Sequence, residues 1–311
     1  MRIVFMGTPD FAVSSLDALL GSKEHQVVGV FTQPDKPVGR KQILTPPPVK
    51  VRALENKIPV YQPTTLKDGQ AYADIKALNP DVIVVVAYGK FLQSDILNMT
   101  KYGCINVHGS LLPELRGASP IQWSIVSGFE KTGVTTMFMD EGMDTGDMLL
   151  KAEVEITDDD NFETLHDKLA VIGAETLLKT LSALESGTAV RTKQDDSLAT
   201  YAPIIKKEMG MLDFSKNATE LRNLIRAFNP WPCAYTFLNG KRLKVLSATV
   251  SKDTHNTETG LVFDTKNGLC VTCGDGTTLL LDTVQLEGSK AMSSIDMLKG
   301  HPLSKGMKIG V

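Results

Sequence analysis

The run Gly103-Cys104-Ile105-Asn106-Val107-His108-Gly109-Ser110-Leu111-Leu112-Pro113 is the most informative stretch of this 311-residue chain. Side chains alternate along an extended strand, so Ile105 and Val107 share one face while Asn106 and His108 share the other. The apolar pair can enter a core as the amide and imidazole face a cleft together. An imidazole beside an amide donor suits stabilisation of a developing oxyanion with proton transfer nearby. A plainer arrangement also fits, in which Asn106 caps a turn and His108 makes one buried hydrogen bond.

A second loop, Asp140-Glu141-Gly142-Met143-Asp144-Thr145-Gly146-Asp147, carries carboxylates and glycines directly after a strand-like run. It lacks a local histidine and the alternating oxygen ligands of hard-cation loops, so no metal is expected there. A carboxylate delivered from this loop can orient His108 instead. The first turn, Met6-Gly7-Thr8-Pro9-Asp10-Phe11, has one glycine where a dinucleotide fingerprint needs a second for close backbone approach, which argues against a nicotinamide enzyme. Gln33 to Pro48 is a long proline-rich excursion with Lys36, Arg40 and Lys41 at its tip. A loop of that length is functional or disordered, and its basic tip suggests an anion contact.

The elements that must position these residues follow from period and punctuation. Ile3–Met6, Val27–Phe31, Val82–Ala87, Ile105–His108 and Val134–Met139 read as strands, nearly continuous in Val and Ile as in a sheet covered on both faces. Phe11–Leu20, Val49–Asn56, Gly69–Leu78, Pro120–Ser127 and Phe162–Leu184 read as helices. The alternation predicts an α/β unit with a parallel sheet, and places Asn106 and His108 at a strand's C-terminal end, where such sheets bind ligands. Thr188 to Lys207 is polar and aperiodic and reads as a linker. Beyond it one amphipathic segment, Leu221–Phe228, precedes short β-rich pieces. Their turn pairs Asn239-Gly240, Asn267-Gly268 and Asp275-Gly276 predict an antiparallel meander or small barrel.

The length suits about two domains, and 42% apolar with 22% charged residues excludes disorder, collagen and low-complexity classes. No apolar run is long enough to span a bilayer, and the N-terminus lacks a secretory pattern, so a cytoplasmic protein is expected. Four scattered cysteines fit a reducing compartment; Cys270 and Cys273 form a C-x-x-C, but without a second pair and in a strand that aims the thiols apart. The net charge of −3 divides into −7 over residues 1–205 and +4 over residues 206–311. A basic last third favours a phosphate-rich partner, although solvated lysines produce the same count.

The Asn106-Val107-His108-x-Ser110-Leu111-Leu112-Pro113 run, followed by Arg116-Gly117-Ala118-Ser119-Pro120-Ile121-Gln122-Trp123 and the D-x-G-x-D-T-G-D-like loop, resembles the folate-dependent formyltransferases. The Thr8-Pro9-Asp10-Phe11 turn, the Gln33–Arg40 loop and Phe228-Asn229-Pro230-Trp231-Pro232 resemble the branch acting on tRNA. The likeness covers essentially the whole chain.

That resemblance implies a Rossmann-like parallel-sheet formyltransferase domain over 1–187, a linker over 188–207 and a smaller OB-like β-barrel domain over 208–311 that binds tRNA. Asn106, His108 and Asp144 match the family's catalytic residues. Ser110, Leu111, Leu112 and Pro113 match its folate contact segment. Arg40 matches the basic residue of a loop that enters the acceptor end of initiator tRNA, though Gln42 interrupts the basic run usual there. Lys41, Lys206 and Lys207 are expected to join it, with Lys241, Arg242 and Lys244 on the same basic third. The implied reaction moves a formyl group from 10-formyltetrahydrofolate, without a metal, to the amine of methionyl initiator tRNA, in a monomer. The alternatives are a formyltransferase acting on glycinamide ribonucleotide or an amino sugar, and a non-catalytic RNA-binding protein.

Overall fold

In the computed structural model, which describes residues 1–39 and 41–310, the Val/Ile runs of the first half all join one seven-stranded sheet. Along the chain come β1 (Arg2–Gly7), α1 (Asp10–Gly21), β2 (Gln26–Phe31), β3 (Lys36–Val38), β4 (Ile43–Thr45), α2 (Pro48–Glu55) and β5 (Val60–Tyr61). Then follow α3 (Gln70–Leu78), β6 (Val82–Val86), α4 (Ser94–Leu97), β7 (Cys104–His108), β8 (Arg116–Gly117) and α5 (Pro120–Val126). β9 (Lys131–Phe138), β10 (Met148–Glu155), α6 (Phe162–Ser186) and β11 (Tyr201–Ala202) complete the first part.

The sheet order is β10-β9-β7-β6-β1-β2-β5. Pairing is parallel from β7 through β5 and antiparallel at β7–β9 and β9–β10. The expected all-parallel sheet is thus a mixed one. The turn between β9 and β10 is too short for the crossover that a parallel return requires, so β10 must fold back. Its alternating exposure marks a half-covered edge strand and explains the lack of a continuous apolar run there.

All five residues of β6 are buried, and each such valine or isoleucine contributes about 1.5–3 kcal/mol by leaving water. On one face Val4, Met6, Ile83, Val85 and Cys104 pack with Ala71 and Ile75 of α3 and Ile96 and Leu97 of α4. On the other, Gly173 of α6 lies over Val107 and Val134. The proline-rich excursion is not free of secondary structure: β3 and β4 pair Lys36 with Thr45, Pro37 with Leu44 and Val38 with Ile43. Lys50 ties its base by an ion pair with Asp35 at 2.8 Å. The prediction for Arg40 falls outside the described residues.

The chain divides into two compact units. Met1–Pro120, Lys131–Glu155 and His166–Ala202 form the first; Ile121–Glu130, Ile156–Leu165 and Pro203–Val311 form the second. The stretch read as a linker is therefore shared. Up to Ala202 it is pinned to the first unit by the Met148–Thr192 bridge and the parallel β8–β11 pair. In the second unit Arg222 pairs with Asp158 at 2.8 Å, and Arg226 donates to the carbonyls of Thr157 and Asp160.

The second unit continues with α7 (Ala218–Phe228), β12 (Ala234–Leu238), β13 (Lys241–Val250), β14 (Val262–Asp264), β15 (Leu269–Thr272), β16 (Thr278–Leu286), β17 (Met292–Ser293) and α8 (Ser294–Gly300). Asn217 caps α7 by accepting from the Glu220 N–H at 2.9 Å. The order β12-β13-β16-β15-β14 is antiparallel throughout, with β17 also paired to β16. Asn239 and Gly240, both at positive φ, make the tight β12–β13 turn. Register shifts around Ser247 curl the sheet. The result is a curled antiparallel half-barrel. β12 and β14 do not pair; the terminal segment lies between them, with Ile309 N–H donating to Gly260 O at 2.9 Å and Gly310 N–H to Phe237 O at 2.8 Å.

Cys270 and Cys273 are buried free thiols, and burial pushes Cys273 up to about 12. Among the described residues no helix is long and apolar enough to cross a membrane, and no group of three metal-ligating side chains converges.

Candidate active site

β7 sits between β6 and β9, where Asn106 registers with Val85 on one side and Met137 on the other. Asn106 and His108 are both buried, and strand alternation puts them on the same face. His108 Nε2 lies 3.0 Å from the Leu115 carbonyl oxygen. A carbonyl can only accept, so Nε2 carries the proton and Nδ1 is left as the nitrogen free to bind or release one.

Nδ1 faces Asp144 Oδ2 at 3.7 Å, an ion-pair distance too long for a hydrogen bond. That oxygen instead accepts the Gly117 N–H at 2.8 Å. A backbone donor thus fixes the Asp144 carboxylate, which lies at ion-pair distance from the ring. Two close approaches make the arrangement possible. Gly117, at φ +115, has the Ala202 carbonyl 2.8 Å from where a Cβ would stand, and Gly146 has the Phe138 carbonyl at 1.9 Å.

The residues behind the site come from Arg116 and from the stretch read as a linker. Arg116 is buried, with Nε donating to Gln194 Oε1 at 3.0 Å and Nη2 paired to Asp196 at 2.8 Å. Stripping partners from such a buried charge costs about 3–5 kcal/mol, so the segment holding them is firmly tied. Gln194 donates to the carbonyls of Asp144 and Gly146. Thr200 accepts the Leu115 N–H at its hydroxyl and the Arg116 N–H at its carbonyl, both at 2.9 Å. Sequence pattern singles out neither Gln194 nor Thr200, because an aperiodic polar stretch carries no mark of which side chain turns inward.

The predicted folate segment follows directly. Ser110 Oγ donates to Glu114 O at 2.6 Å, and Ser110 O accepts from the Thr135 hydroxyl at 2.7 Å. Leu111 packs against Gly133 and is only half-buried, as is Pro113. Leu112 turns inward against Met137 and Met148, with its N–H donating to the Thr135 hydroxyl and its carbonyl accepting from Lys151 Nζ. It anchors the segment from beneath. Lys41, Lys206 and Lys207 are exposed. In the second unit a groove of about 480 Å³ is lined by Arg242, Lys244 and Phe237, and the Arg242 guanidinium stacks over Tyr235 at 4.4 Å.

Residues 1–181 match the family model described as formyl transferase, and residues 204–302 match that of the formyl transferase C-terminal domain. The methionyl-tRNA formyltransferase of Geobacter metallireducens is 48% identical over 100% of this chain and 99% of its own. That of Caldanaerobacter subterraneus is 50% identical over 98% and 99%. The chain belongs to the methionyl-tRNA formyltransferase family.

A solved sugar 3N-formyl transferase, WlaRD, shares the fold with a TM-score of 0.66 at 19% identity, covering 93% of this chain and 99% of that one. That structure was determined in the presence of dTDP and 5-N-formyl-THF. In this formyltransferase Asn106 and His108 are buried on one face of β7. Of the two face-sharing donors and the loop carboxylate predicted for the site, the structure brings His108 and Asp144 within ion-pair distance.

Proposed function

We propose that this site transfers the formyl group of 10-formyltetrahydrofolate to the α-amine of methionyl initiator tRNA. The observation that carries the reading is the full-length likeness to methionyl-tRNA formyltransferases in a chain whose His108 and Asp144 face each other at 3.7 Å. An α-amine titrates near pH 8, so a usable neutral fraction exists at pH 7 without strong base activation (about 7.7–8.0 in peptides). Stabilising the transition state is the main need.

The amine nitrogen bonds to the formyl carbon, the bond from that carbon to N10 breaks, and the ammonium proton ends on N10. Asn106 donates its amide N–H to the oxygen that becomes negative. His108, as imidazolium, donates from Nδ1. Each such donor is worth about 3–4 kcal/mol in comparable sites. Asp144 balances the imidazolium charge and relays the ammonium proton. Ser110, Leu111 and Pro113 form the seat for the folate, with Leu112 holding it from the core side.

Arg40 and Lys41 contact the acceptor end of the tRNA, and Lys206 and Lys207 its backbone. The half-barrel of residues 208–311 acts as an OB-like surface along which Arg242 and Lys244 face phosphates. On this reading the domain over 1–187 carries the chemistry and that over 208–311 the tRNA binding, while the linker over 188–207 lends Gln194 and Thr200 to the first and Lys206 and Lys207 to the second. The enzyme works in the cytoplasm as a monomer.

Formyl transfer to methionyl initiator tRNA, run beside methionyl elongator tRNA and a folate-only sample, tests the proposal. Selective formylation of the initiator is expected. Folate hydrolysis without transfer to either tRNA would overturn the tRNA assignment and redirect the search to other amines.

A further inference from the structure

We infer that Gln194 is a positioning residue: its side-chain amide holds the Asp144 backbone so that the carboxylate faces His108. The inference rests on the formyl-transfer reading of the site. Both hydrogens of Gln194 Nε2 are in use, one on the Asp144 carbonyl at 2.7 Å and one on the Gly146 carbonyl at 2.8 Å, clamping the residues on either side of Thr145. The orientation of the amide is dictated. Arg116 Nε can only donate, so it must meet Oε1, and the two carbonyls can only accept, so they must meet Nε2.

The clamp has something to hold. Asp144 stands at φ +54, a left-handed conformation that a non-glycine residue adopts at a cost unless its surroundings fix it. Its carboxylate takes the N–H of Gly117, the residue next to Arg116. The Arg116-Gly117 dipeptide thus grips Asp144 twice, once at the carboxylate through its own backbone and once at the carbonyl through Gln194. Six residues on, Thr200 binds the backbone of Leu115, whose carbonyl accepts the hydrogen bond from His108 Nε2–H. Both partners of the ion pair therefore hang from one segment. Gln194 is 5% exposed and hydrogen-bonds to the Asp144 loop and Arg116, so its influence on the reaction passes through Asp144.

Gln194→Glu keeps the shape and the acceptor for Arg116 but removes both donors and sets an oxygen against two carbonyls. In formyl transfer to methionyl initiator tRNA, kcat should fall about 10²-fold, the size of a small misplacement of a catalytic group. KM for both substrates should stay within about twofold, as for an interaction made only in the transition state. In an Asp144→Asn background, followed under single-turnover conditions, the same change should cost less than about threefold, because coupled residues are non-additive. An unchanged kcat, a raised KM at constant kcat, or an equal loss in both backgrounds would overturn the inference.

Should Gln194→Glu fail to fold, Asp196→Asn alters the exposed partner of Arg116 and carries the test. A fall of about threefold that vanishes in the Asp144→Asn background is then expected, and no fall, or an equal one in both, overturns it. A wild-type enzyme unable to transfer formyl at all would instead overturn the reading of the site, and this inference with it.

Discussion

Asp144→Asn isolates the charge of the loop carboxylate. Asparagine has nearly the same volume and still offers an oxygen to the Gly117 N–H, so the loop geometry is retained. What disappears is the attraction between a carboxylate and an imidazolium 3.7 Å apart. Coulomb's law at an effective dielectric of about 20 gives roughly 4.5 kcal/mol at that distance. Asp144 is 18% exposed, and solvent screening brings the figure to about 3–4 kcal/mol. At about 1.4 kcal/mol per decade, kcat for formyl transfer should drop by about 10²–10³. Stability to urea should change by less than about 1 kcal/mol, since the Gly117 N–H keeps its acceptor and the lost attraction counts when the ring is charged in the transition state. The assay is single-turnover transfer to methionyl initiator tRNA, with unfolding followed in parallel. A variant retaining more than a third of the wild-type rate would refute the assignment of Asp144 as the counter-charge.

Gly146→Ala places a Cβ 1.9 Å from the Phe138 carbonyl, which the loop can relieve only by moving; activity should fall at least about 10²-fold, and a fully active variant would show the loop geometry to be immaterial. Replacing Lys206 and Lys207 together by alanine should raise KM for tRNA and flatten the salt dependence by about 0.7–0.9 for each phosphate that is no longer neutralised. An unchanged salt slope would remove both residues from the tRNA surface. Burial, reinforced by the N-terminal ammonium, holds His25 below its ordinary value of 6.5. The unfolded chain then takes up a proton first on acidification, so stability present above pH 6.5 should be lost as pH falls through that value towards the lowered folded one. His25→Asn should flatten that slope in urea titrations between about pH 7.5 and 5.5; an identical slope would rule His25 out as its source.

The strands of the first half are legible because a strand covered on both faces is rich in Val and Ile, as β6 is throughout and β1 and β2 are in part; β7 and β9 are buried but mix Asn, His and Thr with their apolar residues. β10 leaves no such mark because its outer half alternates with charge at an open edge. The hairpin β3–β4 is hidden by prolines and exposed side chains that contribute little hydrophobic pattern. The curl of the second unit is signalled by its Asx-Gly turns, but whether the sheet closes depends on where the last residues of the chain lie.

The site divides in the same way. The amino-acid sequence by itself determined that Asn106 and His108 share a face at a strand's end, because alternation is a local property of extended backbone. It also placed the carboxylates on a glycine-bearing loop after a neighbouring strand. Which carboxylate meets the imidazole, which ring nitrogen keeps its proton, and which amide holds the loop were decided by tertiary structure alone. The Leu115 carbonyl, the Gly117 N–H and the Gln194 side chain reach the site by side-chain and backbone hydrogen bonds between residues up to fifty positions apart. Hydrogen-bonding groups of that kind leave no period in the chain, since their partners are chosen by packing and not by spacing.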